Sequence, residues 1–154
     1  MEMDQSSLAT VDALNDLLKI VIFRINDEDY GIDVTLVNSI ERMTNVTRVP
    51  NVNDYIIGVM NLRGSVIPTI DLRKRFGLPS EPYNEDTRII VLSLEEIEVG
   101  IVVDSCSDVT DINRSEIEPP PTVVGGIEST YIQGVTKMDR RLIILLDMEK
   151  TLKS

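Results

Sequence analysis

The chain repeats itself. Ile20, Val21, Ile22, Phe23, Arg24 and Ile25 form a run rich in β-branched residues. The polar Asn26, Asp27, Glu28 and Asp29 follow, and then Tyr30, Gly31 and Ile32. The same order returns 69 residues later as Arg88 to Leu94, Glu95 and Glu96, then Val99, Gly100 and Ile101, with Gly31 and Gly100 in register. A second match lies at an offset of 76: Tyr55, Ile56, Ile57, Gly58, Val59 against Tyr131, Ile132, Gln133, Gly134, Val135. In both copies an Asp, Asp71 or Asp147, ends the next strand thirteen positions after the Gly. The difference between the offsets places an insertion in the Pro119 to Gly126 loop. Two offsets sharing Gly, Tyr and Asp positions predict two copies of one small β unit.

Each unit reads as four or five short, bent strands and a brief helix. The helices are expected at Leu72 to Phe76, with Asp71 as N-cap and Gly77 near the end, and at Met148 to Lys153, capped by Asp147. Pro68 removes a ladder donor, so the strand from Val66 to Leu72 is expected at an edge or a bulge. Such units suggest compact β-barrels, and a unit of roughly 70 residues is marginal alone, so two of them should pack together with a groove between them. The domain boundaries that follow are an N-terminal extension over 1–18, a first repeat over about 19–87, a second over about 88–147 and a C-terminal helix over 148–153. Within the extension, Val11, Leu14, Leu17 and Leu18 fall at helical spacing and suggest a short amphipathic turn.

Composition removes most chemistries. A net charge of −11 opposes binding to nucleic acid or to anionic lipid. The apolar runs are far shorter than the roughly 20 residues of a membrane helix, and the acidic start carries no export signal, so a cytoplasmic protein is expected. The chain has no His and one cysteine, Cys106, which removes the commonest general base and metal ligand and leaves the thiol as a small buried side chain. The stretch from Asp104 to Asp108 lacks the Gly and Glu of a calcium loop, Val109 and Ser115 standing in their places. Neither a cofactor nor a metal is expected. Paired acids such as Glu95 and Glu98, or Asp108 and Asp111, read as solvated turns and not as acid and base.

Contact features remain. Val34, Leu36, Val37, Ile40 and Met43 have near-helical spacing, and the row either curls along a barrel edge as a contact surface or fills the core. The turn Asn61, Leu62, Arg63, Gly64 corresponds to Lys137, Met138, Asp139, Arg140, the place where the copies differ most. Arg63 could fork onto a partner's carboxylate or tie the loop to its own barrel.

Together with Tyr30 to Ile32 and Val99 to Asp104, the string from Gly58 to Arg73 closely resembles the CheW-type chemotaxis coupling family, over about residues 19–153. The resemblance implies a mainly all-β fold: two SH3-like five-stranded β-barrel subdomains, built from two intertwined repeats, around a shared hydrophobic core, with short helices. It implies a non-catalytic adaptor that binds the cytoplasmic hairpin tip of chemoreceptors and the CheW-like regulatory domain of the histidine kinase CheA, with other CheW copies as further partners in arrays. By motif position it assigns receptor binding to Val34, Val37, Ile40, Arg63 and Val103. Kinase binding falls to Arg48, Val49 and Pro50 in the first copy and to Glu118, Val123 and Val124 in the second. Many members carry a Glu before the Ile equivalent to Ile40; here Ser39 stands there and the nearest acid is Glu41. The nearest alternatives are the coupling half of a CheV-like protein, for which no receiver domain follows Ser154, an adaptor of another chemosensory pathway, and a small-ligand-binding or enzymatic barrel.

Overall fold

The computed structural model describes residues 16–50, 53–121, 123–124 and 127–152. The first half forms β1 (Leu17–Ile25), β2 (Glu28–Asp33), a 3-10 turn, β3 (Val37–Arg42), β4 (Ile56–Leu62), β5 (Ser65–Asp71) and helix α1 (Leu72–Arg75). The second half forms β6 (Arg88–Leu94), β7 (Ile97–Val103), β8 (Ser105–Asn113), β11 (Ile132–Met138), β12 (Arg141–Leu146) and helix α2 (Met148–Leu152). A two-stranded hairpin, β9 (Val123–Val124) with β10 (Ile127–Glu128), occupies the loop that the offsets marked as an insertion.

The two repeats do not each build their own barrel. One sheet has the order β11-β12-β2-β1-β8 and the other β3-β6-β7-β5-β4, so each half lends its first hairpin to the other half's sheet. Parallel pairings make the exchange: Leu145 opposite Gly31 in the first sheet, and Thr69 opposite Gly100 in the second. These are the same contact under the two offsets. After its edge strand, each sheet is closed by one reciprocal bridge. Thr47 and Val59 exchange two N–H···O bonds of 2.8 Å, and Glu118 and Val135 exchange bonds of 2.8 and 2.9 Å. Gly58, at φ 149°, is what lets the first bridge form, because a Cβ there would stand 2.1 Å from the Thr47 carbonyl oxygen.

Lending the hairpins buries β1 and β6 on both faces, which is why their sequences run almost continuously apolar. Ile20 and Ile22 point into the first barrel, beside Ile143 and Leu145, while Val21, Phe23 and Ile25 face the seam. In the second barrel Ile89 and Val91 fill the interior with Met60 and Ile67, and Ile90, Leu92 and Leu94 face the same seam. Each barrel is therefore filled by its own side chains, and a third, larger core joins them. Removing each such side chain from water contributes about 1.5–3 kcal/mol. Gly31 and Gly100 lie where the interiors are tightest; a Cβ would meet Ile20 or Ile89 at 2.9 Å.

The seam also carries the aromatics. Phe23, Tyr30, Phe76 and Tyr131 form a chain with ring centroids 5.8, 6.4 and 5.9 Å apart. Arg75 lies between the equivalent rings of Tyr55 and Tyr131, 4.9 Å from each centroid, and its Nε donates to the Thr151 carbonyl at 2.6 Å. One cation thus pins both helices to both halves.

Some expectations change. Leu17 and Leu18 are strand residues, opposite Asn113 and Ile112, because Leu18 completes the first barrel's interior; Val11 and Leu14 lie outside the described residues. The Pro68 strand is not at an edge but beside a bulge, where its ladder with β4 shifts register between Ile56 and Gly58. It pairs with β4 on one side, and its pairing with β7 begins only at Thr69, so the missing donor falls where no neighbour needs it. α2 ends at Leu152, and Lys153 lies outside the described residues.

Two stability outcomes follow from the seam. Arg75→Ala loses both ring contacts and a charged hydrogen bond, and should cost about 2 kcal/mol in urea unfolding. The Tyr30 hydroxyl is buried and has no hydrogen-bond partner among the described residues; burial, then Glu28 and Asp104, raise its pKa well above the ordinary 10.0. The folded protein thus keeps Tyr30 neutral while the unfolded chain ionises, and stability present below pH 10 is lost as pH rises further. Tyr30→Phe should leave stability at neutral pH unchanged or higher, and reduce the alkaline loss seen in melting curves.

Candidate binding surfaces

The segment expected to curl along a barrel edge is a 3-10 turn, Val34–Leu36, followed by β3. Asp33 fixes the turn by accepting from the Thr35 N–H at 2.9 Å and from its hydroxyl at 2.8 Å. The apolar row divides there. Val34, Leu36 and Val37 are half-buried against the shared core, and Met43 packs on the second barrel's interior, whereas Ile40 is 40% exposed.

Arg63 sits at the tip of the β4–β5 hairpin, at φ 51°, followed by Gly64 at φ 87°, as a tight two-residue turn requires. Its side chain is 78% exposed, and its one ion pair among the described residues is with Glu41 of β3, at 3.8 Å. Glu41 is the acid two residues beyond Ser39. An exposed pair at this distance is worth 0–1 kcal/mol, so a competing carboxylate displaces it at small cost. Ile40 and Arg63 therefore share one edge of the second barrel. Val103 does not share their exposure: it is 1% exposed, within the shared core.

The remaining assigned residues lie on two other rims. Arg48, Val49 and Pro50 are exposed beside the Thr47 bridge and, with Ile56, Ile57 and Lys74, line a groove of about 820 Å³. Glu118 is exposed at the equivalent bridge of the first barrel, where a smaller cavity of about 260 Å³ also meets Val135, Lys137 and Leu142. Val123 and Val124 form the short strand β9 that follows. The two rims are related by the internal repeat, and no hydrogen bond or ion pair described here joins them.

A polar clamp missing from the sequence reading holds the first rim. Arg73 donates through Nε to Asp104 at 2.9 Å and through Nη2 to the other carboxylate oxygen, while Nη1 donates to the Pro79 carbonyl at 3.0 Å. Asp104 also accepts from the Asn26 N–H at 2.8 Å. The hydrogen bond to Asp104 holds the guanidinium above its usual pKa against the opposing effect of burial. Asp71 caps α1 at the Arg73 N–H (2.9 Å) and accepts from the Tyr83 hydroxyl at 2.7 Å. Burial and that bond raise the Tyr83 pKa. The segment that carries Ser80 into the groove is tied down by these bonds. Reading Asp104 as part of an acidic stretch hid its role; its distance in sequence from Arg73 left no local signal.

Cys106 is half-buried, not fully buried, and burial pushes its thiol pKa up, against a smaller lowering by Arg88. Such a thiol is a poor nucleophile. No cluster of His, Cys, Asp or Glu suited to a metal ion occurs among the described residues, and no helix among them is long and apolar enough to cross a membrane.

Filled barrels with exposed rims and edges define a scaffold-like class of β protein. Comparison with known proteins agrees. The model of the CheW-like domain matches residues 19–154. The chain is 43% identical over 134 residues to the chemotaxis protein CheW of Bacillus subtilis, covering 87% of this chain and 86% of that one. It is 41% identical to the CheW of Klebsiella aerogenes, covering 87% and 81%. The crystal structure of the scaffolding protein TtCheW from Thermoanaerobacter tengcongensis superposes with a TM-score of 0.82 at 34% identity, covering 89% of this chain and 88% of that one. The chain belongs to the CheW-like family of chemotaxis scaffold proteins.

Asp104→Asn should lower stability by about 2 kcal/mol, since it leaves a buried guanidinium without its counter-charge. Hydrogen exchange should rise first in the segment from Leu78 to Asn84, and a uniform rise across the chain would show that the clamp is not local.

Proposed function

We propose that this protein couples the cytoplasmic hairpin tips of chemoreceptors to the histidine kinase CheA, and so passes receptor state to kinase autophosphorylation within membrane-associated receptor arrays. Membership of the family supports the coupling role, and one observation on this chain carries the receptor assignment. Ile40 and Arg63 are both exposed on one barrel edge, and the only ion pair that holds Arg63 among the described residues is a weak one.

In this reading the receptor hairpin lays an apolar stripe against Ile40, backed by Val34 and Val37, while a receptor carboxylate replaces Glu41 on Arg63. Val103 supports that surface from inside. The rims at Arg48, Val49 and Pro50 and at Glu118, Val123 and Val124 take the regulatory domain of the kinase. The protein makes and breaks no bond; it acts as a rigid spacer whose contacts gain strength from repetition in the array. The filled barrel interiors leave little room for the alternative of a small-ligand carrier.

Arg63→Glu and Ile40→Asp should each weaken binding of a receptor hairpin fragment by roughly tenfold or more, as measured by calorimetry, with kinase binding kept. Arg48→Glu should do the reverse. Unchanged receptor affinity in both edge variants would remove the assignment, and receptor-dependent autophosphorylation that is equal with and without the protein would remove the coupling role.

A further inference from the structure

The two halves differ at a second pair of equivalent places. Where the β6–β7 turn meets α2, Leu94, Ile97 and Leu152 line a cleft of about 380 Å³ rimmed by Glu95, Glu96 and Glu149. Ile97 is 62% exposed, whereas Leu94 is 7% exposed and Leu152 packs on the shared core. Under the two offsets the matching residues of the other half are Ile25, Glu28, Phe76, Asn26, Asp27 and Arg73. There the chain covers itself: the Leu78 N–H donates to the Arg73 carbonyl at 2.8 Å, Leu78 packs on the shared core, and Arg73 holds the Pro79 carbonyl at 3.0 Å. In the second half Ile97 stands where the first has Glu28, and Glu149 where it has Arg73, so the cleft has a more apolar floor and a rim without a cation among its lining residues.

We propose that this cleft is a docking site for an extended basic segment of a partner protein, in which one large aliphatic side chain lies over Leu94, Ile97 and Leu152 while Lys or Arg faces the three glutamates. The charge of the cleft selects against occupants from this chain. Residues 1–18 carry four acids and no base, and a second copy brings a net charge of −11. Glu98, next to the cleft on β7, adds to the acidity; its carboxylate accepts from Asn38 at 3.1 Å. Lys150, the one base within α2, is not among the lining residues. The site is separate from the Ile40–Arg63 edge and from the Arg48 rim, so it stands or falls apart from the coupling reading.

The test is a titration of the isotope-labelled full chain with the peptide acetyl-Lys-Arg-Leu-Pro-Lys-Lys-amide, followed by nuclear magnetic resonance. Resonances of Leu94, Ile97 and Leu152 should shift saturably. The affinity should fall roughly tenfold when Ser replaces the peptide's Leu, when Glu replaces its basic residues, or in the protein variants Ile97→Ser and Glu149→Lys. Raised salt should weaken binding by the charged probe. Absence of saturable shifts at the cleft, equal affinity for the acidic peptide, or indifference to Ile97→Ser would each overturn the proposal. Two observations on the protein alone would also overturn it: shifts of Ile97 with protein concentration, which would identify a second copy as the occupant, and nuclear Overhauser contacts from residues 1–15 to Ile97.

Discussion

Two short parallel pairings hold everything else in place: β12 beside β2, and β5 beside β7. Through them each half of the chain supplies the central hairpin of the other half's barrel. Neither barrel has a complete interior without the partner repeat, and the seam core draws on strands from both sheets. A unit of this size alone would bury too little apolar surface to be stable. The exchange turns two marginal units into one cooperative body, and the rims that face outward inherit its rigidity.

The internal repeat was legible from the residues, down to the register of Gly31 with Gly100 and the turn positions at Asn26 and Glu95, which both adopt positive φ. The exchange of hairpins was not legible in the offsets themselves, because swapped and unswapped barrels would show the same ones; only the family resemblance pointed to intertwined repeats. Central strands also hide their orientation. In Val99 to Val103 every residue is apolar or Gly, so nothing in the spelling marks Val103 as interior. Pro68 marked the bulged ladder of β5 with β4, but a proline alone does not tell an edge from a neighbouring strand that stops one residue short of it. The Arg63–Glu41 pair was accessible, since Glu41 was the nearest acid. The Arg75 sandwich left a faint trace in the matched Tyr55 and Tyr131, although nothing placed a cation between them.

The surfaces assigned to partners differ in how firmly they are built. Arg63 stands on a tight turn with a loosely held side chain, suited to meeting a partner that supplies its own carboxylate. The Arg48 rim rests on a strap fastened by Arg73, Asp104 and Tyr83, so its shape is set before any partner arrives. A surface formed in advance loses less freedom on binding than one that must order itself. Rigid framing and a few displaceable side chains suit a scaffold that has to hold several neighbours at fixed angles.

The lent hairpins also bear on ancestry. Two separate copies of a single repeat could swap the same hairpins and assemble as a symmetric homodimer, in which both faces would be obliged to be identical. Covalent fusion lifts that obligation. Arg63 and Gly64 occupy one turn while Asp139 and Arg140 occupy its counterpart, and Arg73 stands where the other half has Glu149. A chain of this kind can present unlike faces to unlike neighbours while keeping the economy of a duplicated frame.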